Sequence, residues 1–409
     1  MGALTAGLPA SGVQDDVWIR QQVSLPTQAR RSAAALGRRI GLSAERVAEV
    51  ELAVTEAAVN LNTHAVDGAL LLRLSGGDEC RAVELLVLDH GPGMADVAAA
   101  RRDGVSSAGT LGIGLGVVER MADSFEVHSF AGRGTVLVAR FRRRGSRAEP
   151  AGKCPEPTIV GLTRPLSGEQ LCGDAWAARM VPAADAAAKA DTDTVAGANA
   201  GTRANAGTGA NTGRDTGTGA KAGTRTGMAD DGAAAAQGAL LLVMLCDGLG
   251  HGPLAARASE QAVAEFHRAP RADPVEILAG LHRALAGTRG GAAAVAAIDL
   301  GARRVRYCGV GNISGFVVSG ERRSSLLSAP GIVGHHLPRL RAFDAELPDD
   351  ARLVLHSDGL TERWNPSTMP GLFQSSGTVI AAHLLREAGV RRDDASVVVI
   401  DASAGGGRP

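Results

Sequence analysis

The stretch LLLVMLCDGLGHG, residues 240–252, constrains the fold of this chain more than any other feature. Its apolar run stops at Asp247, and glycines follow at once, so the pattern predicts a buried strand that delivers a carboxylate into a tight turn. Glycines let the backbone approach closely, and carboxylate and carbonyl oxygens are the ligands of hard cations. The same pattern also fits a plain strand-to-helix turn capped by Asp247, so other strand ends must decide between the two interpretations.

Aspartates border three further strand-like segments. Asp174 follows Gly173, Asp358 comes two residues after the apolar run 352–356, and Asp393 with Asp394 precedes the run 395–400. A β-sandwich can gather such residues at one edge, and all-oxygen ligation without a His or Cys cluster suits Mg²⁺ or Mn²⁺ rather than zinc. Two such ions, about 3.5 to 4 Å apart, activate water and clamp a phosphoryl oxygen, so the pattern predicts phosphoester hydrolysis.

The chain of 409 residues is long enough for two or three domains. A segment of Ala, Gly, Thr, Asp and Asn repeats, residues 183–237, cannot bury a core, and we expect it to be the inserted tip of a hairpin whose arms are 174–181 and 239–246. The expected divisions are a leader (1–16), a first domain (17–145), a basic joint (146–157), a second domain (158–403) and a tail (404–409).

Charge and apolar content exclude two classes of partner. Lys plus Arg equals Asp plus Glu, 43 against 43, so we expect no nucleic-acid binding and no binding to anionic membranes. The longest apolar run is far shorter than the roughly 20 residues that a membrane span requires. The five scattered cysteines form no disulfide framework, which suits a reducing compartment and predicts a cytoplasmic protein.

The first domain carries a polar stripe on an apolar helix. Ser43 is the expected N-cap of a helix that runs to His64, and spacing of four places Glu56, Asn60 and His64 on one face. Apolar packing is expected from Leu52, Val54, Ala58 and Leu61. Such a stripe is either solvated or part of a binding site.

Two glycine motifs follow this helix. An apolar run, 83–88, ends on Asp89, with Gly91 and Gly93 after it. Three alternate glycines then open a helix, where free backbone N–H groups favour an anion such as a polyphosphate. These glycines are Gly112, Gly114 and Gly116.

The order E-x-x-x-N, D-x-G-x-G, G-x-G-x-G resembles the GHKL ATP-binding family of histidine kinases, gyrase and anti-sigma kinases. The resemblance implies that Asn60 holds Mg²⁺, that Glu56 acts as a base or orients water, and that Asp89 accepts from the adenine amino group. It also implies that Gly91 and Gly93 let the adenine ring approach the backbone and that Thr135 supports the adenine side of the site. The glycines from Gly112 to Gly116 would cover the phosphates of ATP.

Within this family the short lid, residues 103–111, and the segment GLGVVERMADSFEVHSFAGRGT, residues 114–135, look most like the RsbT and RsbW serine kinases. A histidine kinase is not expected, since the sequence shows no dimerisation helix pair with a phosphorylatable histidine before the domain. We favour the RsbT side. Such proteins phosphorylate a Ser or Thr on a STAS-domain antagonist, or bind a sigma factor or another regulatory protein.

The second domain resembles the metal-dependent Ser/Thr protein phosphatases of the SpoIIE and RsbX branch. The motifs are Gly173-Asp174, Asp247-Gly-x-Gly-His-Gly, Ser357-Asp358-Gly and Asp393-Asp394-x-Ser. The resemblance implies two Mn²⁺ or Mg²⁺ ions, with Asp247 as the catalytic bridging ligand and the Gly248 carbonyl on one ion. Asp358 and Asp393 would complete the other, with Asp394 as the alternative to Asp393. Asp174 would act at the first ion, directly or through water. His251 is a structural turn residue or a proton donor.

Together these resemblances predict an α+β chain, with a GHKL (Bergerat) α/β sandwich followed by a PPM-type α-β-β-α sandwich. The expected function is a bifunctional partner-switching regulator whose kinase half adds phosphate to a STAS-type partner and whose phosphatase half removes it. The alternative is a phosphatase whose GHKL half transfers no phosphate and serves as a nucleotide-gated docking module.

Overall fold

The structure is a computed structural model that describes residues 17–77, 80–97, 114–144, 158–182, 239–390 and 392–403. The expected leader, joint and tail, Gly112 and the 183–237 segment lie outside the described residues.

The N-terminal domain is a five-stranded antiparallel sheet covered on one face by helices. Its strands, in the order β1-β2-β3-β5-β4, are β1 (Val17–Arg20), β2 (Ala69–Ser75), β3 (Ala82–Leu88), β4 (Ser124–Phe130) and β5 (Gly134–Arg142). The helices are α1 (Leu25–Arg39), α2 (Ala44–His64) and α3 (Gly114–Met121). Ser43 accepts a hydrogen bond from the Arg46 N–H, which confirms the predicted N-cap of α2.

One predicted packing residue of α2 is wrong. Leu52 is 45% exposed, whereas Val54 and Leu61 are buried in the core between helices and sheet. A helix turns about 100° per residue, so Leu52 points away from the face that Val50 and Val54 share.

The C-terminal domain contains two sheets. One has the order β13-β10-β9-β8-β7, with β14 also paired to β10, and the other has the order β12-β11-β15-β16-β6. The strands are β6 (Ile159–Arg164), β7 (Asp174–Pro182), β8 (Ala239–Gly248), β9 (Gly291–Asp299), β10 (Arg304–Val310), β11 (Ser314–Ser319), β12 (Arg322–Leu326), β13 (Ser328–Ala329), β14 (Phe343–Glu346), β15 (Arg352–His356) and β16 (Ala395–Asp401).

The two sheets pack face to face and are flanked by helices. Successive residues of β8 alternate between two cores, because side chains on a strand point to opposite faces in turn. Leu241, Val243 and Leu245 lie between the sheets. Leu242 and Met244 face the helices, which are α4 (Pro253–Arg268) and α5 (Pro274–Leu285). Helix α6 (Gly377–Ala388) covers the other sheet. This α-β-β-α arrangement, preceded by an α/β sandwich, confirms the predicted fold class.

Helix α6 also packs against the N-terminal sheet, on the face that α1 and α2 leave open. Leu71, Leu86 and Val136 of that sheet belong to one apolar cluster with Ile380 and Leu384 of α6. Helix α6 therefore belongs to the cores of both domains. Polar groups reinforce the contact elsewhere, since the Trp18 Nε1 donates to the Thr163 carbonyl at 2.7 Å.

Two remaining expectations concern location. No helix in the described ranges is long and apolar enough to cross a membrane. Cys172, Cys246 and Cys308 are free thiols, whereas Cys80 is disulfide-bonded, so the cysteines do not support the argument for a reducing compartment.

Candidate functional sites

The first candidate site lies at the edge of the sandwich where β7 and β8 meet. Asp174 and Asp247 are direct partners in the antiparallel register of these strands, which places their side chains next to each other on one face. The predicted hairpin arms are therefore confirmed as paired strands. Asp174 is almost completely buried, at 1% exposure.

Asp358 and Asp393 approach the same place from the second sheet. Burial raises the pKa of Asp247, and the negative charges of Asp174, Asp358 and Asp393 raise it further, in that order. Desolvation and then the charge of Asp393 also raise the pKa of Asp358, although that residue is exposed overall. Four carboxylates from remote parts of the sequence thus interact at one edge.

Asp394 has a different environment from Asp393. Its Oδ1 accepts the Leu166 N–H at 2.7 Å and its Oδ2 accepts the Gly173 N–H at 2.8 Å. Both oxygens therefore hold the segment that leads into Asp174. Asp393 is half-buried, and its Oδ1 accepts the neighbouring Asp394 N–H at 2.9 Å, so this carboxylate fixes no distant segment through that bond.

Two polar residues of this site were given no role from the sequence. The buried Ser357 donates its hydroxyl to Asp174 Oδ2 at 2.7 Å and accepts the Ser396 N–H at 3.0 Å. Asn312 donates its side-chain amide to Asp358 Oδ2. Both residues stand at the ends of apolar strands, as the aspartates do, and that position was the available signal.

The donor chemistry of this edge fits a hard divalent cation. The donors are carboxylate oxygens, and Asp174 Oδ1 is buried without a hydrogen-bond partner among the described residues, which is costly unless a cation or proton neutralises it. Within the described ranges, however, no three His, Cys, Asp or Glu side chains are arranged as a ready metal-binding group.

The glycine turn after Asp247 is shaped by close backbone approach. A Cβ added to Gly248 would lie 2.2 Å from the Ala255 carbonyl oxygen, so no larger residue fits there. His251 is mostly exposed, and its Nδ1 lies 3.2 Å from Glu169 Oε1. This pairing at the turn leaves both roles expected for His251 open.

The second candidate site surrounds the end of β3. The Asp89 Oδ1 accepts the Gly91 N–H at 2.6 Å, and the Asp89 N–H donates to the Thr135 carbonyl at 3.1 Å. Gly93 has a φ of +65°, and a Cβ added there would lie 2.1 Å from the Phe130 carbonyl oxygen. The structure thus brings Asp89, both glycines and Thr135 into one cluster.

Helix α2 ends beside this cluster. A Cβ added to Gly91 would lie 3.1 Å from the carbonyl oxygen of His64, so the end of α2 adjoins the Asp89 turn. Asn60 and Glu56 lie one and two helical turns before His64, and both are half-buried. The polar stripe of α2 therefore leads toward the Asp89 turn.

Helix α3 begins with Gly114 and includes Gly116, as expected for the third motif. The buried Arg46 of α2 donates to the Met121 carbonyl at 2.7 Å and pairs with Asp123 at 2.5 Å. These bonds fix the end of α3 against α2. The glycine-bearing start of α3 is consequently held on the helical side of the sheet.

Known proteins match the two halves separately. Residues 20–141 match the family described as histidine kinase-like ATPase domain, and residues 237–403 match that of stage II sporulation protein E (SpoIIE). The serine/threonine-protein kinase RsbT of Bacillus subtilis (strain 168) is 30% identical over 111 residues, which cover 27% of this chain and 84% of that protein.

Solved structures include RsbX in complex with magnesium, at 19% identity and a TM-score of 0.40, covering 59% of this chain and 92% of that one. The phosphatase domain of SpoIIE from Bacillus subtilis, with a fragment of its regulatory domain, shows 12% identity and a TM-score of 0.39. The match covers 78% of this chain and 79% of that one. Through residues 20–141 the chain belongs to the RsbT family, and it joins that ATPase domain to a SpoIIE-type PP2C phosphatase domain in a partner-switching regulator architecture.

Proposed function

We propose that the C-terminal domain is a metal-dependent phosphoserine and phosphothreonine phosphatase. The observation that carries this proposal is the pairing of Asp174 with Asp247 across β7 and β8, with Asp358 and Asp393 interacting at the same edge. Carboxylates that repel one another at one edge are stabilised by a divalent cation, which explains why they would be kept together.

Asp247 would be a ligand of both of two Mn²⁺ or Mg²⁺ ions, and the Gly248 carbonyl would be a ligand of one of them. Asp358 and Asp393 would complete the other, and Asp174 would act at the first. When bound, the ions supply Lewis-acid stabilisation of the phosphoryl oxygens and lower the pKa of attacking water.

The chain's other residues hold these ligands in place. Ser357 orients Asp174 through its hydroxyl, and Asn312 orients Asp358 through its amide. Asp394 anchors the segment before Asp174 by two backbone hydrogen bonds, so we assign it a positioning role and Asp393 the ligand role.

The N-terminal domain is proposed to bind ATP with Mg²⁺ and to phosphorylate a protein. Asn60 would hold the Mg²⁺, Glu56 would act as the base or orient water, and Asp89 would bind the adenine amino group. The adenine ring would be lined by Gly91, Gly93 and Thr135. The phosphates would be covered by the segment from Gly112 through Gly114 to Gly116. The similarity to a serine/threonine kinase favours this over the purely docking alternative.

The two activities would act on the same class of partner. We propose a STAS-domain antagonist as the protein that is phosphorylated and dephosphorylated, with a sigma factor or another regulatory protein as a further partner, in the cytoplasm. The proposed domain boundaries are 17–145 and 158–403. No role in nucleic-acid or membrane binding is proposed.

The experiment is to incubate the full chain with ATP and candidate STAS proteins and to follow the phosphorylated residue by mass spectrometry, with and without Mn²⁺. Phosphate should appear with Mg-ATP and disappear when ATP is removed and Mn²⁺ is added. A phosphorylated STAS protein that keeps its phosphate with Mn²⁺ would refute the phosphatase proposal. Absence of ATP-dependent phosphorylation by Asp247→Asn, which should lack phosphatase activity, would refute the kinase proposal.

A further inference from the structure

Arg386 of helix α6 extends from the phosphatase domain into the turn that carries Asp89. Its side chain is completely buried, and its Nη1 donates to the Asp89 carbonyl at 3.2 Å and to the Arg133 carbonyl. The Nη2 of Arg386 contacts His383 Nδ1 at 3.0 Å and donates to Glu387 Oε1 at 2.6 Å. A fully buried guanidinium therefore holds the backbone of a proposed nucleotide-binding residue that belongs to the other domain.

A second contact joins the side chain of His90, in the N-terminal domain, to the backbone of Arg386. His90 follows Asp89, and its Nε2 lies 2.9 Å from the Arg386 carbonyl oxygen, so an Nε2 proton would be donated to that carbonyl. Burial raises the pKa of Asp89, while the Gly91 N–H and then the charge of Arg386 lower it. The charge of Arg386 thus favours the ionised carboxylate that would accept from an adenine amino group.

The end of α6 is also hydrogen-bonded to the segment that follows the proposed metal ligand Asp358. The Ala388 carbonyl accepts the Thr361 N–H at 2.8 Å, and the Val390 N–H donates to the Gly359 carbonyl at 2.6 Å. Gly359 directly follows Asp358. A small cleft between the domains is lined by His90, Arg386, Val390 and Asp393. Residues next to the Asp89 turn and a proposed metal ligand, Asp393, therefore line the same cleft.

We propose that Arg386 is a positioning residue of the nucleotide site and that, through it, nucleotide and metal binding are positively coupled. This inference rests on the function proposed above. Nucleotide on the Asp89 turn would favour the arrangement of α6 in which the Gly359 backbone is held, and metal at Asp358 would favour the same arrangement. Coupling of this kind is reciprocal, so each ligand should tighten the binding of the other by the same factor.

The test uses the full chain and a fluorescent non-hydrolysable ATP analogue, with free Mn²⁺ held constant. Arg386→Gln should raise the Kd for the analogue roughly tenfold, the cost of losing one hydrogen bond from a charged donor. Arg386→Lys should recover part of the affinity, because it keeps the charge. Arg133→Gln is the matched control, since its side chain joins Glu387 and the Thr368 carbonyl in the same interface without reaching Asp89.

A second measurement starts from the wild-type chain. The Kd for the analogue should fall about fivefold when Mn²⁺ is added at a fixed Mg²⁺ concentration that loads the analogue but leaves the carboxylate edge unfilled, a factor at the lower end for coupled sites. The analogue should likewise increase phosphopeptide hydrolysis at subsaturating Mn²⁺, and this stimulation should be lost in Arg386→Gln and kept in Arg133→Gln.

The outcomes separate this inference from the proposed function. Equal analogue affinity with and without Mn²⁺, or unchanged affinity in folded Arg386→Gln, would overturn the coupling while leaving the phosphatase and ATP-binding proposals standing. A wild-type chain that neither binds the analogue nor hydrolyses phosphopeptide would instead refute the proposed function, and the coupling with it.

Discussion

Asp174 and Asp247 face each other across neighbouring antiparallel strands, although a long repetitive segment separates them in the sequence. Asp174 is buried and Asp247 is half-buried, so the ionisation of both carboxylates is unfavourable, and Asp358 and Asp393 add to the repulsion. A fold that keeps such a cluster loses stability there unless a cation occupies it.

Replacing Ser357 tests how Asp174 is held. Ser357→Ala removes the hydroxyl that donates to Asp174 Oδ2, while Asp174 Oδ1 already lacks a partner in the described part of the chain. We expect the Mn²⁺ concentration for half-maximal phosphatase activity to rise about tenfold, in the range of other residues that orient metal ligands. Ser319→Ala is the control, since its hydroxyl binds the exposed Asp350. Equal Mn²⁺ dependence in both variants would contradict the positioning role of Ser357.

Asp393 and Asp394 should differ in what they contribute. Asp394→Asn keeps only one acceptor oxygen for the Leu166 and Gly173 N–H groups, so we expect a loss of about 1 to 3 kcal/mol in the free energy of unfolding. Asp393→Asn removes a charge that repels Asp247, so it should keep or raise the free energy of unfolding without metal, and it should abolish the response to Mn²⁺. Urea unfolding and metal titration of both variants check this. The reverse pattern would make Asp394 the ligand.

Glu84 provides a pH-dependent contribution to the contact between the domains. Burial alone would raise the pKa of Glu84, but Arg73 and Arg140 outweigh it and lower the pKa from 4.5 to about 2. Both arginines also bind the second domain, at the Gly161 carbonyl and the Thr378 hydroxyl. The stabilisation is therefore fully present above about pH 4.5 and is lost as the pH falls toward 2.

Between about pH 6 and pH 3 the wild-type chain should lose about 2 kcal/mol more unfolding free energy than Glu84→Gln, which cannot titrate at this position. Denaturant unfolding at the two pH values measures the difference. Identical pH dependence in the two proteins would show that the pKa of Glu84 is not lowered in the folded chain.

The nucleotide site is tested by Asn60→Ala. We expect the affinity for Mg-ATP to fall at least about tenfold and phosphorylation of a STAS partner to be lost, because the proposed Mg²⁺ ligand is removed. Asn62→Ala is a matched control on the same helix, since Asn62 donates to the Gln22 carbonyl. Normal phosphorylation by Asn60→Ala would refute the role of Asn60. Retained Mn²⁺-dependent hydrolysis would show that the second domain still folds.

Local patterns in the sequence were sufficient for the strands that present aspartates. The apolar runs before Asp247 and Asp358, and the hairpin that pairs Asp174 with Asp247, follow from residue alternation and turn chemistry. Contacts between distant segments could not be predicted in this way. Arg386 looks like an ordinary cation in the last turn of a helix, a position favoured by the helix dipole, and only the packing of α6 on the first sheet brings it to Asp89.

The same limit explains the error at Leu52 and the unassigned role of Ser357. Residue type alone made Leu52 a core residue, although its position on α2 turns it to solvent. Ser357 was recognised as part of a motif, but its hydrogen bond to Asp174 depends on how the two sheets are stacked.

The most direct test of the carboxylate cluster is hydrolysis of a phosphoserine STAS protein by the wild-type chain and by Asp247→Asn, in Mn²⁺. We expect Asp247→Asn to lose at least about 100-fold in rate, since even residues that only orient metal ligands cost up to that factor. The ATP analogue should still bind, with the affinity that the wild-type chain shows without metal at this edge. Hydrolysis at the wild-type rate by a folded Asp247→Asn chain would contradict the proposal that this edge is the phosphatase centre.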